Sequence, residues 1–386
     1  MKIDSVECFL VRLPFRAPQR MADKPLNFID TVVTKITAGD KTGWSEVAPG
    51  NTPCLTSEWS GGVFQTIRDV LLPLLKDRRT LAKPSQFVEE LATSIQGNQH
   101  AKAAIDMALW DLAAREKGEP LWKTLGGVRR DIPLGLTFDR FEEPADFFPE
   151  LQRLVADGFS RATLKFRPGW DIQAVTAARS ELPFGVQLQV DIESALTFDK
   201  YAEIFYRLED FFLTFIEQPS TPGDQVALAM IQNSLRTPLC LDESIGSELD
   251  AEIAADLKSA KFFCVKPGRV GGHTESQKIL NAARQEEISC YAGCEFLSSL
   301  GYRHLVALAS LPGFTHPCDY LRFDEVLEAD LTQPVETTLI PRENPSEEHP
   351  KTPDPIRAAQ LWDTPGTGCE IATDVLESCT IARCEL

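Results

Sequence analysis

Phe262-Phe263-Cys264-Val265-Lys266 is a short apolar run closed by an ionisable residue, and the arrangement recurs at a steady interval back along the chain. Pro238 to Leu241 is followed by Asp242, Leu213 to Ile216 by Glu217, and Val186 to Val190 by Asp191. These positions are separated by 26, 25 and 24 residues, and Lys165, in the run Ala162 to Phe166, stands 26 residues before Asp191. One strand plus one helix fills such an interval. The gaps carry helical patterns, as in Phe198 to Leu208, Asp224 to Leu235 and Thr274 to Arg284. Short apolar strands alternating with amphipathic helices indicate βαβ units and a parallel sheet. Ile132 to Phe138 and Ile288 to Tyr291 bring the strands to seven. Seven units in unbroken succession favour a closed barrel over an open doubly wound sheet, and no GxGxxG follows the first strand to support a dinucleotide fold.

The C-terminal ends of barrel strands converge on one mouth, where barrel enzymes carry their chemistry. Asp191, Glu217 and Asp242 would meet there, flanked by Lys165 and Lys266. Three clustered carboxylates repel one another and raise each other's pKa unless positive charge lies among them. An all-oxygen set with room for water suits Mg²⁺, with Mn²⁺ as the second candidate, better than zinc or copper. Beside a cation, in a partly desolvated mouth, a lysine ammonium is disfavoured, so its pKa is expected to fall toward that of a general base. Lys165 precedes the first carboxylate and Lys266 follows the third, so they should reach a substrate from opposite sides. Proton abstraction next to a carboxylate, with the resulting anion stabilised by the metal, is the chemistry this set serves. Any one of these residues alone reads as loop polarity or, for Asp242, a helix cap; five in phase do not.

Outward from the barrel, the first part of the chain reads as strands and then helices. Val6 to Leu13 is a strand, Thr31 to Ile36 pairs with Gly43 to Ala48, and Pro18 to Asn27 lies between them as a polar loop. Helical spacing follows in Ser57 to Leu75, Pro84 to Ile95 and Ala101 to Lys117. Five prolines spread through Glu336 to Ala358 indicate an extended surface excursion, after which Pro365 to Cys384 regains apolar content and packs back on the N-terminal part. The expected division is 1–128 as the N-terminal domain, 129–325 as the barrel and 326–386 as the returning segment. Cap loops close over barrel mouths, so Met21 and the segment Gly50 to Thr56 are expected to touch substrate.

A net charge of -18 argues against a nucleic-acid or anionic-membrane surface, because binding phosphates needs clustered Lys and Arg. No stretch reaches the roughly 18 apolar residues of a membrane span, and the N-terminus shows no leader, so a cytoplasmic location is expected. The ten cysteines include no CxxC pair and read as reduced and mostly buried, with no zinc site built from Cys290 and Cys294. His100, His273, His304, His316 and His349 share no strand-end phase and read as surface or satisfied structural residues. A small-molecule carboxylate is the expected partner, and a homo-oligomer the expected assembly.

At the strand-end residues the chain resembles the enolase superfamily, in its muconate-lactonizing subgroup, where lysine bases beside Mg²⁺ are an established device. The segments Gly43 to Gly50 and Ala101 to Leu112 look like that family's capping domain. The resemblance implies a (β/α)7β TIM-like barrel under an α+β capping domain formed by the N-terminal region and the C-terminal tail, with metal ligation by Asp191, Glu217 and Asp242. Leu164-Lys165-Phe166-Arg167-Pro168-Gly169-Trp170-Asp171 and Val265-Lys266-Pro267-Gly268-Arg269-Val270-Gly271-Gly272 are most similar to the o-succinylbenzoate synthase and N-acylamino acid racemase family. Dehydration of a cyclohexadiene carboxylate in menaquinone synthesis is thereby implied, with Lys165 as base, Lys266 as stabilising cation and Thr137 at the substrate carboxylate. The alternatives are racemisation of N-acylamino acids or dipeptide epimerisation, and a catalytically silent barrel with a binding role. Thr163 stands where the family has the first lysine of Lys-x-Lys, Glu193 where it has Asn, and Glu295 to Gly301 where it has a Glu-Ser-Gly-Ile-Gly type segment. Thr163, Glu193 and Glu243, the neighbour of Asp242, are expected to tune the metal and base from behind.

Overall fold

The computed structural model describes the chain apart from residues 22–23, 93, 140–143, 167–170, 195–197 and 343–353. The last four positions of the Lys165 string that precede Asp171, and three of the prolines of the Pro-rich stretch, Pro345, Pro350 and Pro353, therefore lie outside the described residues.

The N-terminal region forms β1 (Ser5–Met21), β2 (Lys24–Ala38) and β3 (Lys41–Val47), an antiparallel sheet in which β2 lies between the other two. Both faces of β1 are buried: Val6 and Cys8 pack on one side with the helices of the N-terminal region, and Phe9, Val11, Leu13 and Phe15 on the other with the core that includes the barrel strands. Pro18 to Asn27 is not the expected loop: Gln19 pairs with Leu26, Arg20 with Pro25 and Met21 with Lys24, so the β1/β2 hairpin runs on past the core. Of its described residues only Gln19, Met21 and Leu26 are partly covered and none is fully buried, so the alternation that marks a strand is weak there.

Helix Gln99–Lys117 packs on this sheet and ends at Gly118, whose φ of 68° supplies the left-handed residue of a helix C-cap. Ser45 Oγ donates to the Ala104 carbonyl at 2.6 Å, so β3 and the helix touch backbone to side chain. Gly43 permits that approach, since a Cβ there would sit 2.2 Å from the Ala108 oxygen and 2.5 Å from the Leu112 nitrogen. The other two expected cap helices are shorter or broken. Ser60–Thr66 continues through a π turn at Ile67–Leu71 into Leu72–Lys76, and only Gln86–Leu91 of the Pro84 to Ile95 stretch is helical.

The barrel strands are β4 (Asp131–Phe138), β5 (Arg161–Lys165), β6 (Gln187–Asp191), β7 (Ile216–Glu217), β8 (Leu239–Leu241), β9 (Phe262–Val265), β10 (Ser289–Ala292) and β11 (Cys318–Asp319). They pair in parallel in that order from β4 to β10. The ring closes where Cys318 of β11 pairs with Leu134 of β4 and Phe314 bridges Cys290. This is the eighth strand that a (β/α)7β barrel requires; it was missing from the seven apolar runs because His316-Pro317-Cys318-Asp319 contains none.

The flanks of the Pro-rich stretch are also regular. β12 (Thr337–Ile340) and β13 (Ile356–Gln360) form a hairpin that pairs with the start of β4, Ala359 opposite Ile132, at the end of the barrel away from the mouth. β14 (Thr380–Glu385) then adds to the free edge of β1, Cys384 opposite Cys8, completing the α+β cap over the barrel.

Buried carboxylates join cap to barrel at helix N-termini, where unsatisfied N–H groups and the helix dipole favour negative charge. Glu46 of β3 accepts from the backbone N–H of Ser298 at 3.1 Å and of Gly301 at 3.0 Å. Asp106 accepts from the Thr274 N–H at 3.0 Å.

Gly43→Ala is expected to push helix Gln99–Lys117 off β3 and to destabilise the protein by about 1–3 kcal/mol, the usual cost of overpacking. Urea unfolding of the two proteins measures it, and an unchanged midpoint would refute the close approach as a packing constraint.

Candidate functional site

The C-terminal ends of the barrel strands open into a cavity of about 490 Å³, roofed by cap residues that include Pro18, Met21, Leu55 and Thr56. Strand register sets its floor. Lys165 ends β5 opposite Asp191 at the end of β6, Asp191 lies opposite Glu217 at the end of β7, and Asp242 and Lys266 each follow their strand by one residue. All five sequence-predicted residues are thus brought together. Lys165 and Lys266 issue from β5 and β9, four strands apart in a ring of eight, and so face one another across the carboxylates.

The carboxylates are nearly inaccessible, Asp191 at 4%, Glu217 at 2% and Asp242 at 0% exposure. Lys165 Nζ lies 2.5 Å from Asp191 Oδ2 and also bonds Glu193. Lys266 Nζ lies 2.7 Å from Asp242 Oδ2, whose other oxygen takes Arg269. Glu217 has no lysine; the Tyr291 hydroxyl reaches both of its oxygens at 2.7 and 2.8 Å.

Burial, and then the charges of Asp191 and Asp242, push the Glu217 carboxyl well above its ordinary range. Asp191 is raised by burial, and by Glu193 and Asp242, against the pull of Lys165. Asp242 goes the other way: burial would raise it, but Arg269 and Lys266 outweigh that and hold it below the usual carboxylate range. The lysines depart from the expected lowering. Burial does act to lower Lys165 and Lys266, but Asp191 with Glu193, and Asp242, outweigh it and hold both ammonium groups well above their ordinary pKa. The difference arises because each lysine is ion-paired to a carboxylate that was expected to serve a cation.

The donor set fits a hard divalent cation. Glu217 and Asp191 are carboxylates raised by burial and by neighbouring carboxylates, and Glu243, lifted by burial and by Asp242 and Asp191 to about 8, has a buried Oε2 with no hydrogen-bond partner. Added positive charge would relieve all three. One thiol intrudes: Cys264 Sγ and carboxylate oxygens of Glu217 and Asp242 lie within 4.8 Å of one another. Cys264 was read from sequence as plain core, and nothing in the apolar run Phe262 to Val265 marks it otherwise.

The remaining predicted residues line the same cavity. Thr137 and Met21 are on its wall, and Met21 is accommodated by Gly50, where a Cβ would come within 2.9 Å of its sulfur and where φ is 104°. Thr163 is buried with its hydroxyl unpartnered. Glu193 pairs with Lys165, and its backbone N–H donates to Asp191 Oδ1 at 3.0 Å. Three groups escaped the sequence reading: Arg269, Tyr291 and the pair Arg161–Asp319. Arg161 is a fully buried guanidinium inside the barrel, bonded to Asp319 at the end of β11 and 5.0 Å from the Tyr291 ring centroid. A charged residue at a strand start reads as loop polarity, so only the closed ring shows it pointing inward.

Two family models match the chain: the mandelate racemase / muconate lactonizing enzyme N-terminal domain over residues 5–126, and the enolase C-terminal domain-like model over residues 147–375. An o-succinylbenzoate synthase of Geobacillus stearothermophilus is 34% identical over 296 residues, 76% of this chain and 77% of that protein. An N-succinylamino acid racemase of Thermus thermophilus is 31% identical over 333 residues, 86% of this chain and 89% of its own length. The crystal structure of an enolase-superfamily member from Listeria innocua superposes with a TM-score of 0.90 at 28% identity, covering 100% of this chain and 99% of the other. Among the described residues no helix is long and apolar enough to cross a membrane.

Tyr291→Phe removes the hydroxyl that holds Glu217. Divalent cation affinity is expected to fall by about 10- to 100-fold, the usual effect of losing a group that orients a ligand. Titration with Mn²⁺ followed by electron paramagnetic resonance reads this directly, and unchanged affinity would remove Tyr291 from the site.

Proposed function

Because the chain belongs to the mandelate racemase / muconate lactonizing enzyme family of the enolase superfamily, we propose that it is a Mg²⁺-dependent, o-succinylbenzoate synthase-like dehydratase of menaquinone synthesis that removes a proton α to a carboxylate. The observation that carries this reading is the pair of lysines facing each other across three buried carboxylates. Asp191, Glu217 and Asp242 would hold the ion, with Glu243 beside them. Bound Mg²⁺ would supply positive charge to the substrate carboxylate as negative charge grows on it.

The chain's own groups do the rest. Once Asp191 and Asp242 turn their charge to a cation, Lys165 keeps Glu193 alone of its two carboxylates and Lys266 loses Asp242, so burial counts for more in lowering both. Lys165 Nζ takes the proton from Cα, a carbon–carbon double bond forms, and the resulting ammonium returns the proton to the departing hydroxyl, which leaves as water. Lys266, across the substrate, remains an ammonium and offsets the developing anion. Thr137 lies on the wall where a substrate carboxylate would bind, and Met21, Leu55 and Thr56 exclude water from above. All ten cysteines are free, which suits a reducing cytoplasm.

The second reading is racemisation of an N-acylamino acid or epimerisation of a dipeptide, favoured by the lysines standing four strands apart: one removes the proton from one face and the other delivers it to the opposite face. The two separate in solution. Purified protein with Mg²⁺ should form o-succinylbenzoate from its hydroxylated cyclohexadiene carboxylate precursor, and failure to do so would end the synthase reading. Solvent deuterium entering Cα of both enantiomers of an N-succinylamino acid would establish the second.

Lys165→Ala is expected to lower turnover by about 10²- to 10⁴-fold with an unchanged circular dichroism spectrum. Chelation of divalent ions should abolish activity and Mg²⁺ restore it; full activity in chelator would refute metal dependence.

A further inference from the structure

His100 sits at the second position of helix Gln99–Lys117 with no exposed surface, between two carboxylates from different parts of the fold. Its Nδ1 is 2.9 Å from Glu58 Oε2, in the cap segment that leads into helix Ser60–Thr66, and its Nε2 is 2.8 Å from Glu295 Oε1, in the barrel loop after β10. Its backbone N–H also points at both Glu58 oxygens, 3.2 Å away. Two carboxylates on the two ring nitrogens require both nitrogens to donate, which only the imidazolium can do. A third element leaves room for this bridge: at Gly268 a Cβ would lie 2.5 Å from Glu295 Oε2 and 3.3 Å from His100 Cδ2.

Both arms of the bridge lead to the mouth. Leu55 and Thr56, just before Glu58, line the cavity, and so do Glu295 and its neighbours Cys294 and Phe296. We infer that His100 is a positioning residue: as an imidazolium spanning Glu58 and Glu295, it fixes the cap segment carrying Leu55 and Thr56 in register with the barrel loop carrying Cys294 to Phe296, and so sets the distance between two walls of the substrate cavity. The bridge concerns the mouth whatever acid is turned over; only the kinetic arm of its test rests on the proposed reaction.

A pH dependence follows. Burial acts to lower the ring, but Glu295 and Glu58 outweigh it and raise His100 to about 9 from an ordinary 6.5. Lys102, on the same helix, donates to the Ile95 carbonyl, and Arg269, from the element carrying Gly268, is turned to Asp242, so neither opposes the imidazolium at close range. A raised histidine contributes fully below its unfolded pKa and loses that contribution as pH rises through the folded one. The bridge is therefore intact at neutral pH and opens near pH 9.

Nitrogen NMR of the wild-type ring should show both nitrogens protonated at neutral pH and a titration near pH 9. Amide hydrogen exchange, corrected for its intrinsic pH dependence, should accelerate in residues 50–60 and 294–298 across the same pH range, while β5 to β8 stay protected. His100→Gln should give about tenfold faster exchange in those two segments at neutral pH. With a substrate that is turned over, it should raise KM severalfold with little change in kcat and remove the alkaline rise in KM. Glu295→Gln should reproduce the exchange pattern. A neutral ring at neutral pH, or unchanged exchange in both segments, would overturn the bridge. Absence of turnover with either proposed substrate would count against the reaction and leave the exchange and NMR results to decide on His100.

Discussion

Like charges buried together are the constraint around which this molecule is organised. Asp191, Glu217 and Asp242 come to one end of a barrel with almost no access to solvent, beside a half-buried Glu243, and isolated anions there would neutralise themselves or break the fold. The chain answers with cations at fixed positions, Lys165 on Asp191 and Lys266 and Arg269 on Asp242, and with a neutral donor, the Tyr291 hydroxyl, on Glu217. Glu217 and Glu243 are left the least compensated. They mark where further positive charge belongs, and the two lysines mark where a proton can be taken or given once it arrives. Site and fold are one construction, since the strands that close the ring also carry the charges.

That dependence explains why the floor of the site was legible in the sequence. A parallel ring repeats one unit, so residues with the same duty recur at nearly the same interval, and the intervals around Asp191, Glu217, Asp242 and Lys266 made them stand out from polar loops. The (β/α)7β barrel and its α+β cap were legible for the same reason together with the motif strings. What the interval did not reach was the interior below the mouth. Arg161 opens β5 and Asp319 ends a strand of two residues, and they meet only because β11 lies beside β4 and β4 beside β5. Cys264 lies in β9 two residues before Lys266, and a thiol in an apolar run carries no mark of the carboxylates beside it.

The cap was less legible. Among its described residues the tip of the β1/β2 hairpin buries none fully, so its strand character lies mainly in backbone pairing, which leaves little trace in side-chain pattern. His100 looked unremarkable because its partners are 42 residues before it and 195 after it. His273 and His304 were likewise read as surface or satisfied groups; they are buried and stacked, 2.9 Å apart, with His304 on the Trp44 carbonyl at 2.8 Å. His349 lies outside the described residues. Histidines at domain junctions are not periodic, and only the assembled fold identifies them.

The pairing of β14 with β1 fixes an order of events as well as a shape. Glu7 lies opposite Glu385, so one edge of the cap sheet is completed by a strand that follows every barrel strand in the chain. Until then β1 exposes a row of unpaired backbone groups, an edge open to adventitious strands, and the barrel must be made before the cap can be finished. Closing so long a chain segment is slow and non-local. The cap sheet is thereby tied to a strand that follows the whole barrel in the chain, while the residues that roof the mouth, Pro18, Met21, Leu55 and Thr56, all precede the barrel.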